Sequence, residues 1–356
     1  MIRGMIKVIQ THFTKRDMVL KPREITDPRD RRGRRYRLER VWRSTLLALC
    51  LLTESTRRAV SIGRALPGRT GCGIGRTALS DLVSRLAPEE VRGMLRGQIH
   101  EEMHRKALRP VDLPLGVIAI DGKSVWTGDE KVNAFCQRSH KESGMPYWHF
   151  RVLRAALVSA AAPVCIDQAP IPADTNDMGA FADFFAGLRR EYSRSQLFEV
   201  VTMDAGFCSE DNARLVDDAG YGYVIGLKGN QPDLLAEARR VLLPLAEETP
   251  PEAASSWERE KGHDVQRRFW RTREMAKWLD WSHLRQVWLI RTVRRGNHHE
   301  ETVVEDRFFV TNLTIGRLNP GQCLTVVRRH WRIESAPQAH RKEGSHDGLN
   351  DCVQAA

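Results

Sequence analysis

The sequence lacks a long hydrophobic run. Its longest apolar stretch, from Leu46 to Leu52, is far shorter than the roughly 20 residues that a helix needs to cross a bilayer. The segment from Met1 to Val19 has no continuous apolar stretch followed by a small-residue cleavage site, so no secretory signal is recognised there. These absences predict a cytoplasmic protein that has no membrane partner.

Paired cysteines are absent as well. The seven cysteines are scattered and no two of them form a CxxC pair, so neither a disulfide framework nor a zinc site is indicated. No internal repeat is visible, and 41% apolar with 28% charged residues is an ordinary globular mixture, which argues against a disordered or fibrous protein. At about 150 residues per domain, this length predicts about two domains.

Positive charge is the main excess. The chain has 56 Lys and Arg against 45 Asp and Glu, a net charge of +11. This excess favours a polyanionic partner, most often DNA or RNA, although a merely solubilising surface has the same composition. Residues 1–40 hold 13 Lys and Arg against 5 Asp and Glu, centred on Arg31-Arg32-Gly33-Arg34-Arg35. This cluster is either a flexible phosphate-binding arm or a solvated linker.

Hydrophobic periodicity divides the chain into segments. A helical pattern is followed, after a Pro-containing linker, by three strands, a helix, a strand, a helix, a strand and a helix. This order predicts an α/β fold with a mixed sheet. The predicted segments are a basic arm at 1–37, a helical domain at 38–106 that either binds DNA or is an associated domain, the first part of the core at 107–245, an insertion at 246–305, and the last strand and helix of the core with the tail at 306–356.

The insertion is expected to be β-rich. It opens with Glu-, Pro-, Ala- and Ser-rich sequence and continues with Trp- and Arg-rich strands near 265–273 and 285–295. We expect its tryptophans to form a small core of their own; they are Trp257, Trp270, Trp278, Trp281 and Trp288. The pair His298-His299 is interpreted as a hairpin tip and not as a metal site.

Two aspartates have equivalent positions. Asp121 is predicted to end the first strand, where Gly122 breaks it, and Asp204 is predicted to end the fourth strand. Functional residues are common at strand ends because these open onto loops, but an aspartate there is also a common turn-former or helix cap. The spacing alone leaves both interpretations open.

A third carboxylate lies among basic residues. Glu334 ends the predicted helical sequence Arg328-Arg-His-Trp-Arg-Ile-Glu334. It belongs either to a surface helix, where an ion pair at helical spacing is worth ~0.5 kcal/mol, or to a metal site beside side chains that hold phosphates. Mg²⁺ suits one or two carboxylates plus a substrate phosphate, and a pair of such ions would stabilise both oxygens of a phosphoryl transfer.

Six short motifs carry a family resemblance. In chain order they are Ile118-Ala-Ile-Asp-Gly-Lys123, Leu157-Val-Ser-Ala160, Thr175-Asn-Asp177, Val201-Thr-Met-Asp-Ala205, Ile225-Gly-Leu-Lys-Gly-Asn-Gln231 and Arg329-His-Trp-Arg-Ile-Glu334. With these motifs in this order, the chain resembles the DDE transposases of bacterial insertion sequences, in the subgroup of the H-repeat-associated proteins. The resemblance extends from about Arg37 to Glu334.

The resemblance implies an RNase H-like core that acts on DNA. Two aspartates and a late glutamate are the catalytic residues and metal ligands of that family, and these roles fall on Asp121, Asp204 and Glu334 in this sequence. The implied cofactor is a pair of Mg²⁺ ions, for which Mn²⁺ can substitute. The implied activity is cleavage at transposon ends, followed by joining of the freed 3′-OH to target DNA by transesterification.

The implied partner is double-stranded DNA, as transposon terminal inverted repeats and as target DNA, bound by a homodimer at the bacterial nucleoid. The residues expected at the DNA are Lys123, Lys228, Asn230, Arg328, Arg329, His330, Trp331 and Arg332. The three arginines are expected beside Glu334, where they would position the strand being cut. Structural roles are the alternatives: a solvated loop lysine at 123, a strand-to-helix turn at 228–231, and a partly buried tryptophan at 331.

After Glu334 the sequence departs from the family pattern. Family members continue as a long helix, whereas this chain has Pro337 and Gly344, both unfavourable in a helix interior. A frameshift near the codon for Ser335 or Ala336 would produce such a tail, which reading the encoding DNA in the other frames would test. The alternative function is therefore an inactive remnant that only binds DNA. A third interpretation is a basic α/β protein whose carboxylates are caps and surface pairs.

Overall fold

Four helices precede the sheet in the computed structural model, which describes residues 25–50, 56–65, 71–140, 143–260, 262–296 and 302–335. They are α1 (Leu38–Cys50), α2 (Thr56–Ala65), α3 (Arg76–Ser84) and α4 (Pro88–His104). Their apolar sides meet in a cluster that includes Val41, Val60 and Leu82. Most of the basic arm, His298-His299 and the tail from residue 336 lie outside the described residues. The domain boundaries stay predictions.

The described strands form one mixed sheet. They are β1 (Val117–Gly128), β2 (Gln137–His140), β3 (Pro146–Leu157), β4 (Val164–Pro170), β5 (Val200–Met203), β6 (Gly222–Leu227), β7 (Ala253–Ala254), β8 (Glu258–Glu260), β9 (His263–Thr272), β10 (Gln286–Arg295) and β11 (Val303–Thr311). The order is β2-β3-β1-β5-β6-β11-β10-β9-β7, with β4 paired to β3 and β8 to β9. Strands β1, β5 and β6 are parallel, and β3 is antiparallel to β1. The predicted α/β fold with a mixed sheet is confirmed.

Helices cover both faces of this sheet. They are α5 (Asp177–Tyr192), α6 (Glu210–Asp218), α7 (Pro232–Glu248), α8 (Pro320–His330) and α9 (Arg332–Ser335). Helices α5, α6 and α7 pack in one apolar cluster with Ile118, Ile120 and Met203. Helix α8 packs in a second cluster with Val117 and Ala119. Because neighbouring residues of β1 belong to different clusters, the alternation along this strand defines two faces of the sheet.

The segment 246–305 extends the same sheet. Strand β11 begins in it and pairs with β6, and β10 and β9 follow outward. The expected separate tryptophan core is therefore wrong. Trp270 and Trp281 are buried in the cluster on the α5 face, and Trp288 is buried in the cluster on the α8 face, while Trp257 is exposed. The two large clusters continue under the added strands, which is why these indoles join them.

Strand β1 does not end at Asp121. It continues to Gly128, because β3 offers an antiparallel partner along the whole length, with Gly122 paired to Leu153. Gly122 therefore does not break the strand, contrary to the sequence prediction. A Cβ atom at this position would overlap the carboxylate of Asp177, so the glycine allows the start of α5 to approach β1 closely.

A buried carboxylate attaches α4 to the sheet. Asp167 of β4 is fully buried, and it accepts hydrogen bonds from Arg92 at 3.0 Å to each carboxylate oxygen and from Arg96 at 2.8 Å. Removing one partner of a buried pair leaves an uncompensated charge, at a cost of about 3–5 kcal/mol. The helical segment is thus held against the core. No helix in the described part of the chain is long and apolar enough to span a membrane.

Candidate active site

Asp121 and Asp204 lie side by side. Ile120 of β1 is paired with Met203, the last residue of β5, in parallel register. Paired strands lie about 4.8 Å apart, so Asp121 in β1 and Asp204 directly after β5 are neighbours. Side chains alternate along strands, and both aspartates therefore belong to the face that α8 covers. Both are half-buried. The sheet thus brings together the two carboxylates that the sequence singled out.

Arg154, which the sequence analysis missed, faces Asp121. It lies directly opposite Asp121 in the antiparallel pair of β1 and β3, and directly opposed residues project from the same face. Its Nε and Nη2 atoms also donate to Gln168 Oε1, at 3.4 Å each. Arg154 therefore places a positive charge beside the first aspartate. Only the strand register identifies it, and the sequence does not specify that register.

Asp177 is a second residue to which the sequence analysis gave no role. Its carboxylate packs against Gly122 and forms an ion pair with Arg151 of β3. Burial raises the pKa of the Asp177 carboxyl, Arg151 counteracts this, and the negative charge of Asp204 raises the pKa further. Its buried Oδ1 atom has no hydrogen-bond partner among the described residues. In the sequence, the motif Thr175-Asn-Asp177 was the feature that could have identified Asp177 as a site residue.

A cleft of about 400 Å³ opens beside Asp204. Its lining includes Asp204, Lys228, Arg307, His330 and Trp331. The Arg307 guanidinium lies over the Trp331 ring, 5.4 Å from its centroid, and Trp331 is 43% exposed. With Glu305, Asp306 and Arg239 also in its lining, the cleft combines three carboxylates, three cationic side chains and an accessible aromatic ring. A larger cavity of about 700 Å³ between α4 and α5 contains neither Asp121 nor Asp204 in its lining.

His330, the last residue of α8, is buried against β5. Its Nδ1 atom lies 3.0 Å from Thr202 Oγ1, which in turn lies 3.1 Å from the carbonyl oxygen of Ile118. Burial lowers the pKa of His330 to about 4, although the charge of Asp204 acts in the opposite direction. The imidazole is therefore neutral at pH 7 and adds no positive charge to the cleft.

The loop after β6 supports the turn that follows β5. Asp204 begins this turn and accepts the backbone N–H two residues later, at 2.9 Å. The Asn230 amide donates to the carbonyls of Ala205 and Cys208, at 2.9 and 3.1 Å. Asn230 therefore holds the turn that carries Asp204, whereas Lys228 is exposed and lines the cleft. Their DNA contacts stay predictions.

Arg329 and Arg332 make bonds within the protein. Arg329 donates to the carbonyl of Ser159 at 3.0 Å and pairs with Asp112 at 2.9 Å. Arg332 donates to the carbonyl of Ala161 at 2.8 Å. Neither lines the cleft. These guanidinium groups attach the end of α8 to the loop after β3, a geometry that does not favour the expected contacts with the strand being cut.

Arg328 and Lys123 also lie away from the cleft lining. Arg328 forms an ion pair with Glu258 of β8. Lys123 is half-buried within β1, opposite Val152, and not in a loop, because β1 continues past it. The structure brings Asp204, Lys228, His330 and Trp331 together in one cleft, and Asp121 beside them in the sheet.

Glu334 belongs to the short helix α9. Its side chain lies outside the described residues. Among the side chains that are described, no group of three or more His, Cys, Asp or Glu could hold a metal ion. The donor chemistry nevertheless fits a hard cation, since Asp121 and Asp204 supply two adjacent carboxylates and Mg²⁺ commonly takes one or two from the protein.

A family model and a curated relative match the sequence. The family model described as "Transposase DDE domain" matches residues 112–336. The chain is 27% identical, over 208 residues, to an uncharacterized protein in the dhlA 3′ region of Xanthobacter autotrophicus. That match covers 56% of this chain and 61% of the relative. The chain therefore spans less than two thirds of the relative's length.

Solved structures of other proteins are distantly similar to this chain. A cryo-EM structure of the piggyBac transposase synaptic complex with hairpin DNA has a TM-score of 0.37 and 11% identity, and the alignment covers 86% of this chain and 61% of that chain. The crystal structure of the NurA nuclease from Sulfolobus solfataricus has a TM-score of 0.24 and 9% identity, and the alignment covers 65% of this chain and 80% of that chain.

Proposed function

Because the chain belongs to the family of transposase DDE domains, we propose that it cleaves DNA at the ends of a transposable element and joins the freed 3′-OH to target DNA. The observation that carries the proposal is the placement of Asp121 beside Asp204 at a cleft with cationic and aromatic side chains. Catalysis of phosphoryl transfer consists almost entirely of positioning and electrostatic stabilisation. The protein would thus act as a polynucleotidyl transferase.

The catalytic carboxylates would be Asp121, Asp204 and Glu334. DDE transposases generally use a divalent metal, and these three residues would hold a pair of Mg²⁺ ions, with Mn²⁺ as a substitute. When bound, such ions stabilise the attacking and the leaving oxygen of an in-line displacement. The contribution of the chain itself is to hold two carboxylates at a fixed spacing, through the parallel register of β1 and β5.

The cleft would bind the DNA strand at the reaction site. Lys228 supplies positive charge next to Asp204 and would contact a phosphate beside the scissile bond. Arg307 also lines the cleft, where it forms a partly exposed ion pair with Glu305 that a phosphate would have to replace. Trp331 presents an exposed ring beside Arg307, and bases stack readily on such rings. Trp331 would stack on a base that is displaced from the duplex.

Duplex DNA outside the cleft would bind to the basic groove, which we define by Arg57 and Arg64 of α2 and Arg76 of α3. The groove has a volume of about 630 Å³, and all three arginines are exposed without an ion pair to another described residue. Arginines of this kind suit phosphates. The opposite side of α2 is buried, with Gly63 packed closely on Ser44 of α1. A homodimer would hold two transposon ends together.

A cleavage assay tests this function. With Mg²⁺ and a duplex that carries the element's inverted repeats, we expect nicking at the repeat and joining to a second duplex. Asp204→Asn keeps the size of the side chain but removes its charge, and should lower the rate by about 10²- to 10³-fold, as the loss of one electrostatic group does elsewhere. Asp280→Asn, at an exposed position between β9 and β10, is the matched control. Unchanged nicking by Asp204→Asn would contradict the assignment.

A DNA-binding remnant is the second candidate function. It is favoured by the sequence after Glu334, where Pro337 and Gly344 oppose the helix that family members have. If this function is correct, the protein should bind the inverted repeats without nicking them, with either Mg²⁺ or Mn²⁺ present. Gel-shift and nicking assays on the same DNA separate the two functions.

A further inference from the structure

Thr202 and His330 form a hydrogen-bonded chain between three segments of the fold. Thr202 Oγ1 lies 3.1 Å from the carbonyl oxygen of Ile118 in β1 and 3.0 Å from His330 Nδ1 at the end of α8. Thr202 and His330 are both buried, so water does not compete for these bonds. The chain therefore connects β1, β5 and α8.

The direction of the two bonds follows from the donors available. A carbonyl only accepts, so Thr202 uses its single hydroxyl proton for Ile118. The Thr202 oxygen must then accept from His330, which requires that Nδ1 carries a proton. In a neutral imidazole this leaves Nε2 without one. The geometry thus specifies one tautomer of His330.

Each member of the chain lies close in sequence to a carboxylate of the proposed site. Ile118 is three residues before Asp121, and Thr202 is two residues before Asp204. His330 is four residues before the third carboxylate, which is about one turn of a helix. A change in either hydrogen bond would therefore shift at least one of these segments relative to the others.

We propose that Thr202 and His330 are positioning residues, whose hydrogen bonds set the spacing between the three carboxylate-bearing segments. This inference rests on the function proposed above. Neither residue needs to touch the DNA phosphates or carry charge for this role. Outer partners of this kind commonly change metal affinity or activity by about 10- to 100-fold when they are removed.

Thr311 provides a matched comparison in the same sheet. It is also buried, and its hydroxyl donates to the carbonyl of Tyr223 and accepts from the backbone of Leu313 at 3.1 Å. None of these residues lies within four positions of a proposed catalytic carboxylate. Replacing Thr311 removes the same kind of bond at a distance from the site.

The experiment compares Thr202→Val, Thr202→Ser and Thr311→Val in the full chain. We expect Thr202→Val to lower kcat for DNA cleavage by about 10- to 100-fold with an unchanged KM, and to weaken Mn²⁺ binding to the DNA-free protein, measured by electron paramagnetic resonance. Thr202→Ser, which keeps the hydroxyl, should restore both. Thr311→Val should change only the melting temperature, and wild-type kcat and Mn²⁺ affinity in folded Thr202→Val would overturn the proposal.

A second measurement covers the case in which Thr202→Val does not fold. The ¹H–¹⁵N long-range NMR spectrum of the wild-type protein is expected to show His330 protonated at Nδ1 only. A proton on Nε2 would overturn the proposal without any variant.

The outcomes also separate this inference from the proposed function. If Asp204→Asn abolishes cleavage while Thr202→Val does not change it, only the positioning role fails. If wild-type protein neither cleaves nor binds Mn²⁺, the proposed function fails and this inference with it.

Discussion

The two groups of arginines in this molecule use the same side chain differently. Arg329 and Arg332, near the end of α8, donate to backbone carbonyls of the protein. Arg57, Arg64 and Arg76 of the basic groove are exposed and form no ion pair with a described residue. The first group attaches one part of the fold to another, and the second uses none of its donors for an ion pair within the described part of the chain.

The comparison shows that a basic run in a sequence does not identify its partner. The run from residue 328 to 332 lies next to a proposed catalytic residue, and for that reason it was expected at the DNA. Buried carbonyls need donors, however, and leaving one unsatisfied costs about 1–3 kcal/mol. The loop after β3 presents backbone carbonyls to this end of α8, and these guanidinium groups donate to them. We therefore expect changes near α8 to alter stability and changes in the basic groove to alter DNA affinity.

The largest expected effect is the pH dependence that His330 contributes. Its pKa is about 4 in the folded state and 6.5 as an ordinary value, so the unfolded state binds more protons between these pH values. The free energy of unfolding should therefore decrease as the pH falls from 6.5 to 4, by about 3 kcal/mol from this residue. Urea titrations of wild type and His330→Asn measure it, and parallel pH profiles of the two proteins would contradict it.

Arg329→Ala is expected to have the next largest effect. It removes one of two donors to the Ser159 carbonyl, which keeps the backbone N–H of Val111, and it removes the partner of Asp112. The loss of these hydrogen bonds to a charged group should lower the free energy of unfolding by about 1.5–3 kcal/mol. Affinity for duplex DNA should stay at the wild-type value, measured on the same preparations by fluorescence anisotropy. A loss of affinity in a fully folded variant would place Arg329 with the DNA-binding group.

The combined change of Arg57, Arg64 and Arg76 to Ala should leave thermal unfolding unchanged and weaken DNA binding. Each lost phosphate contact reduces the slope of log K against log salt by about 0.9, so three should reduce it by about 3. Changing the same three to Lys preserves the charge and serves as the control. An unchanged slope in the Ala variant would remove the basic groove from the DNA interface.

The smallest effect is expected for Arg328→Ala. Its ion pair with Glu258 is partly exposed, and pairs of this kind contribute about 1 kcal/mol or less. We expect a small shift in the denaturant midpoint and no change in the salt dependence of DNA binding. If the salt dependence does change, Arg328 exchanges Glu258 for a phosphate and belongs to both groups.

The periodicity of the core strands was predictable from the sequence. Short continuous apolar runs bounded by turns define the start of β1, β5 and β6. The adjacency of Asp121 and Asp204 requires in addition the parallel pairing of β1 with β5. The end of β1 was not predictable, because Gly122 is a strand residue only through its pairing with β3. The residues around Gly122 do not indicate which distant strand pairs with it.

Contacts between distant segments account for the other differences. The position of Arg154 opposite Asp121 depends on the register of β1 against β3. The ion pair between Asp177 and Arg151 depends on how α5 packs on β3. The indole of Trp288 is buried in a core that its own segment does not form. In each case the sequence provides the residue type, and the tertiary neighbour determines its role.

Gly122 has a consequence for any attempt to evolve this protein. Every other amino acid has a Cβ atom, and at this position it would occupy the space of the Asp177 carboxylate. A library that randomises Gly122 alone should therefore return glycine among its functional members. Randomising both positions together opens substitutions that neither position allows singly, so Gly122 and Asp177 would change in step as lineages of this protein diverge.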